Sequence, residues 1–266
     1  MREIYIPNNP KMLSSAVCFI DILGFSSLIE ESCKNHRGDQ LLSRLYRCII
    51  DNISFIRPST QYSGKIKFFT DNIVIGIPIL DDGESELGQI FLGFASYQLS
   101  LTLDGFFVRG GVSIGDYYAN EYISYGPALL EAHKIESVYA NTPRIVLGLG
   151  AKELVKQHLK YYANPRYAPQ TRDVFVDSDG EWFVNYLEAA FPSRDGEAYS
   201  NARKIMIKHK KIVLDKLHEF NSDIKVRKKY EWVAQYHNFF CNLNFDGDES
   251  LQIEGVNGIG NFKFIS

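Results

Sequence analysis

The chain has 266 residues, is 45% hydrophobic and 14% aromatic, and carries a formal net charge of −3. That much apolar material can build a sizeable core in one large domain or a domain with an extension, and the lack of a basic excess argues against a dedicated, stable nucleic-acid binder. The four cysteines, Cys18, Cys33, Cys48 and Cys241, are scattered without a C-x-x-C pair, as expected for reduced thiols in a cytoplasmic protein, and neither a signal-like N-terminal stretch nor a run of membrane-spanning length is visible.

In chain order, residues 1–14 read as an irregular lead-in and residues 16–22 as an apolar strand. Residues 27–56 read as one helix, with Leu41, Leu45, Cys48, Ile49 and Ile53 on a single stripe. Ser27-Leu28-Ile29-Glu30 has the form of a capping box at its start, and Pro58 ends it. Residues 65–70 and 72–79 are two strands joined tightly around Thr70-Asp71, and Asp81-Asp82-Gly83 is a turn. Residues 84–103 are helical, with Leu87, Ile90, Phe91 and Phe94 facing inward. Residues 106–115 form a strand that returns as a hairpin over 117–124. Gly126-Pro127 opens a helix to about Ser137, and Arg144 to Leu147 is a short strand.

That order is β-α-β-β-α-β, a ferredoxin-like α+β pattern with helices on one face of its sheet and the other face free. Side chains alternate along a strand, which puts Phe107, Arg109, Gly111 and Ser113 on the open face with Lys67 and Asp71. Beyond residue 150 the chain changes character. A short helix spans 151–161, strands flank Asp179-Gly180, and long helices cover 197–220 and 224–243. The expected division is therefore a core over 1–150 and a mostly helical extension over 151–266, packed on the core. The lysine and arginine run from Arg203 to Lys229 reads first as a solvated helix face, with one or two of its lysines as candidates to reach a triphosphate. Trp182, Trp232, Tyr236, Phe239 and Phe240 read as core or interface.

The chemistry lies in two aspartates at the ends of apolar strands, Asp21 in Phe19-Ile20-Asp21-Ile22 and Asp71 in Phe68-Phe69-Thr70-Asp71. Singly, each can be a strand-end acid capping a turn. As a pair in buried surroundings they need a partner or a metal, and together they can hold divalent ions for phosphoryl transfer. Gly24 follows Asp21 in a tight turn into a helix, whose free N–H groups and dipole suit a phosphate. Gly148-Leu149-Gly150 lacks the third glycine of a dinucleotide loop, and Asp246-Gly247-Asp248 is too short for a calcium loop.

These segments carry a resemblance. Phe19-Ile20-Asp21-Ile22-Leu23-Gly24-Phe25-Ser26 resembles the F-x-D-I-x-G-F-[ST] segment of class III nucleotide cyclases. Lys67-Phe68-Phe69-Thr70-Asp71 resembles their K-x-x-G-D hairpin, with Thr70 in place of the glycine. Val108 to Gly115 resembles their R-x-G-[IV]-x-x-G strand. The likeness covers roughly residues 15–148. It implies a class III cyclase core. It also implies that Asp21, Asp71 and the Ile22 carbonyl hold two Mg²⁺ or Mn²⁺ ions, that Gly24, Phe25 and Ser26 cradle phosphates, and that Arg109 pairs with the triphosphate. Lys67, Phe69 and Ile123 would lie at the base. It implies a homodimer with two sites at the interface.

The departures concern the base and ribose. Ile123 stands where purine cyclases carry a polar base-reading residue, and Leu130 and Lys134 stand where they carry the asparagine and arginine of N-x-x-x-R. Lys134 would supply charge as a point rather than a fork. Glu131 and His133 have no inherited role. With Gly126 to His133 and Lys229-Tyr230-Glu231-Trp232, this pattern looks like the pyrimidine cyclases of bacterial antiphage (Pycsar) defence, which make cyclic UMP or cyclic CMP to activate a downstream effector. The resemblance therefore implies a uridylate cyclase, with a cytidylate cyclase and a non-catalytic nucleotide-binding module as alternatives. A diguanylate cyclase hairpin does not match Thr70-Asp71-Asn72-Ile73.

Overall fold

Ten residues, Leu13–Ile22, buried without a break from Ser15 to Cys18, form the central strand β1. Its even positions Ala16, Cys18, Ile20 and Ile22 face one core, while Val17 and Phe19 face another. The computed structural model describes residues 5–57, 64–191, 195–256 and 260–265. After β1 come α1 (Phe25–Lys34), α2 (Gly38–Ile56), β2 (Lys65–Phe69), β3 (Asn72–Pro78), α3 (Glu84–Leu103) and β4 (Val108–Ala119). The strand order β2-β3-β1-β4 and the antiparallel pairing of each neighbour make a ferredoxin-like βαββαβ unit, in the α+β class the sequence pattern implies.

Several local expectations differ from the structure. The strand does not wait for residue 16 but begins at Leu13. The helix expected over 27–56 is two helices, because Asn35 caps α1 and His36 turns left-handed at φ 54° before α2 starts. The capping box is not used: α1 begins at Phe25, its cap is Gly24, and no side chain caps it. Pro58 lies outside the described residues. β4 runs unbroken to Ala119 before pairing with β5 (Ser124–Tyr125).

The second face of the sheet is not free. Helix α4 (Pro127–Tyr139) lies across it, with Ala128 and Ala132 packed among Val17, Phe19 and Val74. Gly111 permits that contact, since a Cβ there would stand 2.3 Å from the Ala132 carbonyl oxygen. α2 and α3 cover the opposite face, where Ile90, Phe91 and Phe94 meet the even positions of β1.

The sheet continues past the fourth strand. β6 (Ile145–Leu147) runs parallel to β4, and then β8 (Trp182–Val184), β7 (Val174–Val176) and β9 (Lys263–Phe264) complete, with β5, nine strands among the described residues. Residue 150 falls inside α5 (Leu149–Leu159), so the core and the mostly helical segment after it share one sheet. A short α6 (Gln170–Asp173) and the long pair α7 (Gly196–Glu219) and α8 (Ile224–Asn244) supply that segment's helices. Trp232, Tyr236 and Phe240 are buried against Phe183 and its neighbours, so these aromatics are core. Buried Arg144 ties the halves together. It pairs with Asp177 and Asp179 and donates to the Tyr139 carbonyl at 3.0 Å, while the Trp232 indole donates to Asp177 at 2.6 Å. Among the described residues no helix is long and apolar enough to cross a membrane.

Candidate active site

The end of β1 brings the singled-out acids and base together. Asp21 and Arg109 are directly opposed in the β1–β4 ladder. Nε and Nη2 of Arg109 both donate to Asp21 Oδ2, at 3.1 and 3.0 Å. Nη2 also forms an ion pair with Glu136 Oε1 at 2.8 Å. Asp71 arrives on the turn between β2 and β3, within hydrogen-bonding reach of Asp21. Burial, reinforced by the Asp71 carboxyl, pushes the Asp21 carboxyl up to about 7 despite the opposing pull of Arg109.

The turn that delivers Asp71 is strained. Thr70 has φ 55°, a left-handed conformation costly for a β-branched residue. Its hydroxyl lies 2.9 Å from Asp71 Oδ1, and Asn72 Nδ2 donates to it at 3.4 Å. Gly24 is left-handed too, at φ 74°, and a Cβ there would meet nothing within 4 Å. Its need for glycine is therefore conformational, and as the cap three residues after Asp21 it starts α1 at Phe25. Phe25 packs partly against the core while Ser26 is exposed. No side chain caps this N-terminus, so its N–H groups remain available to an anion.

The carboxylate pair passes a simple test of fit for a divalent ion. Burial first, and the neighbouring Asp71 carboxyl second, drive Asp21 toward protonation, and an all-oxygen donor pair suits a hard cation that completes its shell with phosphate and water. Ile22 offers only its backbone, as its side chain is buried in the core. Among the described residues no group of three or more His, Cys, Asp or Glu side chains is arranged to hold a metal.

The remaining candidates stand apart from this cluster. Lys67 reaches the Glu121 carbonyl in the loop after β4, which carries Ile123. Phe69 and Ile123 are 77% and 53% exposed. Lys134 makes no ion pair with Asp21 or Asp71; it lines a cavity of about 470 Å³ with Leu130, Lys152 and Glu181, where α4 meets β6 and α5. A single chain thus holds the carboxylates and Arg109 in one place and Leu130 and Lys134 in another.

Two site residues escape sequence reading. Glu136 looks like one more acid on a helix, yet it is 3% exposed. Burial raises its carboxyl pKa while Arg109 lowers it. His133, one turn earlier, packs edge-on against Phe19 at 4.9 Å. Lys229 is hidden in a run of basic residues, but α8 carries it beside Arg109 and Asp21. Burial and then the Arg109 charge lower its pKa, and Asp21 pulls it back. The neighbouring Tyr230 seats that turn of α8 against Phe107 of the chain entering β4, at 5.0 Å.

No protein-family model and no curated protein matches the sequence. Among solved structures the chain is similar to the guanylyl cyclase Cya2, at 16% identity and a TM-score of 0.42 over 54% of this chain and 78% of that one. It is similar to a class III adenylyl cyclase-like ATP-binding protein from Pseudomonas aeruginosa, at 13% identity and 0.41, over 56% of this chain but only 36% of that one. It is also similar to an adenylate/guanylate cyclase/hydrolase from Silicibacter pomeroyi, at 16% identity and 0.37, over 65% and 95%.

Proposed function

We propose that this chain is a nucleotide cyclase that converts a pyrimidine nucleoside triphosphate, UTP before CTP, to its 3′,5′-cyclic monophosphate and pyrophosphate. The observation that carries this reading is the convergence of Asp21, Asp71 and Arg109 beside the uncapped start of α1. Two apposed acids, a guanidinium and a free helix N-terminus are what a triphosphate with its counter-cation requires.

In this reading Asp21 and Asp71 would hold Mg²⁺ or Mn²⁺, two ions per site, with the Ile22 carbonyl assisting. Bound there, the metal would acidify the ribose 3′-hydroxyl and neutralise charge on the phosphates. The chain's own groups do the positioning. The N–H groups at Gly24, Phe25 and Ser26 take phosphate oxygens, and Arg109 and Lys229 balance the charge of the leaving pyrophosphate. Held in line, the 3′-oxygen bonds to the α-phosphorus as the bond to pyrophosphate breaks, and most of the rate comes from orientation and charge stabilisation.

The base and ribose groups would come from a second copy. Lys67, Phe69 and Ile123 would face the pyrimidine, and Lys134 would approach the reacting phosphate from across a homodimer interface. Supporting this, Ile123, Tyr125, Leu130 and Leu149 are exposed at 53%, 64%, 72% and 68%, an apolar set suited to burial in an interface. The pyrimidine preference and a role for the product as a messenger to an effector in antiviral defence rest on the resemblance in the motifs, with Ile123 and Leu130 in place of polar purine-site residues.

A non-catalytic nucleotide-binding module is the second reading, favoured by the engagement of Arg109 with Asp21 and Glu136. Incubating the purified protein with Mn²⁺ and each ribonucleoside triphosphate in turn, with products identified by mass, separates the two. Cyclic UMP or cyclic CMP is expected. A cyclic purine in excess overturns the base preference, and no product from any of the four overturns the cyclase reading.

A further inference from the structure

Glu136 is a buried carboxylate on α4, and burying a charge costs free energy that an apolar residue of similar volume avoids. Its neighbours on that face of the helix, Ala128, Ala132 and Ile135, are the apolar residues such packing favours. Glu136 has an ionic partner in Arg109, at 2.8 Å. The guanidinium is thereby held from two elements. Asp21 of β1 accepts from Nε and Nη2, while Glu136 Oε1 of α4 sits 2.8 Å from Nη2 as an ion pair without a formed hydrogen bond. One edge of the fork is committed to the protein, while Nη1 has no hydrogen-bond partner among the described residues. The Arg109 side chain keeps 25% exposure, so a ligand oxygen can reach it.

We propose that Glu136 is a positioning residue for Arg109: it clamps the Nε–Nη2 edge of the guanidinium against Asp21, so that Nη1 is presented to an anionic oxygen of a nucleoside triphosphate. The ligand class rests on the cyclase reading above; the clamp itself does not. Asp21 alone fixes the guanidinium through one oxygen, about which the planar group can swing. A second acid on another element removes that freedom, and a preorganised donor loses less entropy when it meets a phosphate. The acid is thus retained where an apolar residue would pack as well.

The test compares Glu136→Gln, which keeps a neutral acceptor for Nη2, with Glu136→Leu, which keeps the volume and removes it. The first readout needs no turnover. The side-chain Nε–H resonance of Arg109, identified by its loss in Arg109→Lys, is expected to be sharp and protected from exchange in the native protein and in Glu136→Gln. It is expected to broaden in Glu136→Leu. The second readout is kinetic. Glu136→Leu should lower kcat about tenfold or more with a smaller effect on KM, Glu136→Gln should recover most of it, and the Glu136→Leu loss should shrink below about twofold in an Arg109→Ala background, as coupled residues require. An Arg109 resonance equally sharp and protected in Glu136→Leu overturns the proposal. So does a Glu136→Leu loss of the same size with and without Arg109. If the native protein cyclises no nucleotide, the proposed activity falls and the resonance still decides the clamp. If Glu136→Leu does not fold, as read by circular dichroism, Glu136→Ala takes its place: a broadened Arg109 signal there supports the clamp, and one as sharp and protected as in the native protein overturns it.

Discussion

Asp21 and Arg109 face each other across the β1–β4 ladder, and two nitrogens of the arginine converge on one aspartate oxygen at 3.1 and 3.0 Å. In the proposed reading the contact joins the metal carboxylate to the guanidinium that donates to phosphate. Replacing Arg109 by Ala removes a preorganised donor and should raise the barrier by roughly 3 kcal/mol, about a hundredfold in turnover. Arg109→Lys restores the charge without the fork and should recover only part of that. Steady-state assays with Mn²⁺ and UTP measure both, and near-native turnover in a folded Arg109→Ala protein removes the residue from the chemistry.

Asp71 acts on Asp21 through charge, which gives Asp71→Asn two opposite effects. Turnover should fall at least as far as in Arg109→Ala, because the proposed reading gives Asp71 to the metal. Stability of the metal-free protein should rise. The Asp21 carboxyl is raised from an ordinary value of 3.8 to about 7, first by burial and then by Asp71. The folded state therefore holds this proton better than the unfolded state does. That advantage is complete below about pH 4 and is lost as pH rises to about 7. Removing Asp71 lowers the Asp21 pKa and returns part of the loss, on the order of 1 kcal/mol for a partly solvated pair. Melting curves in EDTA should show Asp71→Asn more stable than the native chain at pH 8 and no more stable near pH 4. A native-like pH profile in the variant contradicts the coupling.

Thr70 occupies φ 55° at the tip of the β2–β3 turn, where a branched side chain costs about 1–2 kcal/mol relative to glycine. Thr70→Gly relieves that cost but gives up the contact between the hydroxyl and Asp71 Oδ1 at 2.9 Å and frees the unfolded chain. The terms nearly cancel, so the net expectation is a change within about 1 kcal/mol by urea unfolding, with Asp71 less well held. Destabilisation by Thr70→Gly beyond that would mean that the hydroxyl contacts outweigh the backbone strain.

The strand-end acids were legible because an aspartate closing an apolar run is expensive and so informative, and the ferredoxin-like order was legible because its strands and helices keep clean periods over long segments. What failed to show has a physical reason in each case. The break at His36 is marked only by Asn35 and Gly38, signals that an apolar stripe running on through Leu41, Leu45 and Cys48 outweighs in a reading by period. The strands flanking Asp179-Gly180 are where the turn marks them, Val174–Val176 and Trp182–Val184, but at three residues each they carry no sign of the sheet they extend. Glu136 and Lys229 are charges whose roles come from burial beside Arg109, a property of tertiary packing that sequence spacing does not encode.

The extension contains a neutral hydrogen-bonded chain that should fail in mild acid. His209 and His237 stack with their ring centroids 5.0 Å apart and their Nδ1 atoms 3.0 Å apart. Nε2 of His237 lies 2.9 Å from the Leu251 carbonyl, and the Tyr186 hydroxyl lies 2.9 Å from His209 Nε2. One assignment satisfies every contact. Tyr186 donates to His209, Nδ1–H of His209 donates to His237, and Nε2–H of His237 donates to the carbonyl, with both rings neutral. Burial, with the neighbouring ring adding to it, lowers the His209 pKa, and burial takes His237 from 6.5 to about 4. Depressed pKa values in the folded state mean that the unfolded chain binds more protons below pH 6.5. The stability present above that pH is therefore lost as pH falls toward 4. Between pH 7.5 and 5 the loss should be on the order of 2 kcal/mol, readable through Trp182 and Trp232, the two tryptophans of the chain. His237→Gln can still accept from His209 but takes up no proton, so it should halve the pH slope while costing about 1 kcal/mol at neutral pH. An unchanged slope in that variant would place the acid sensitivity elsewhere.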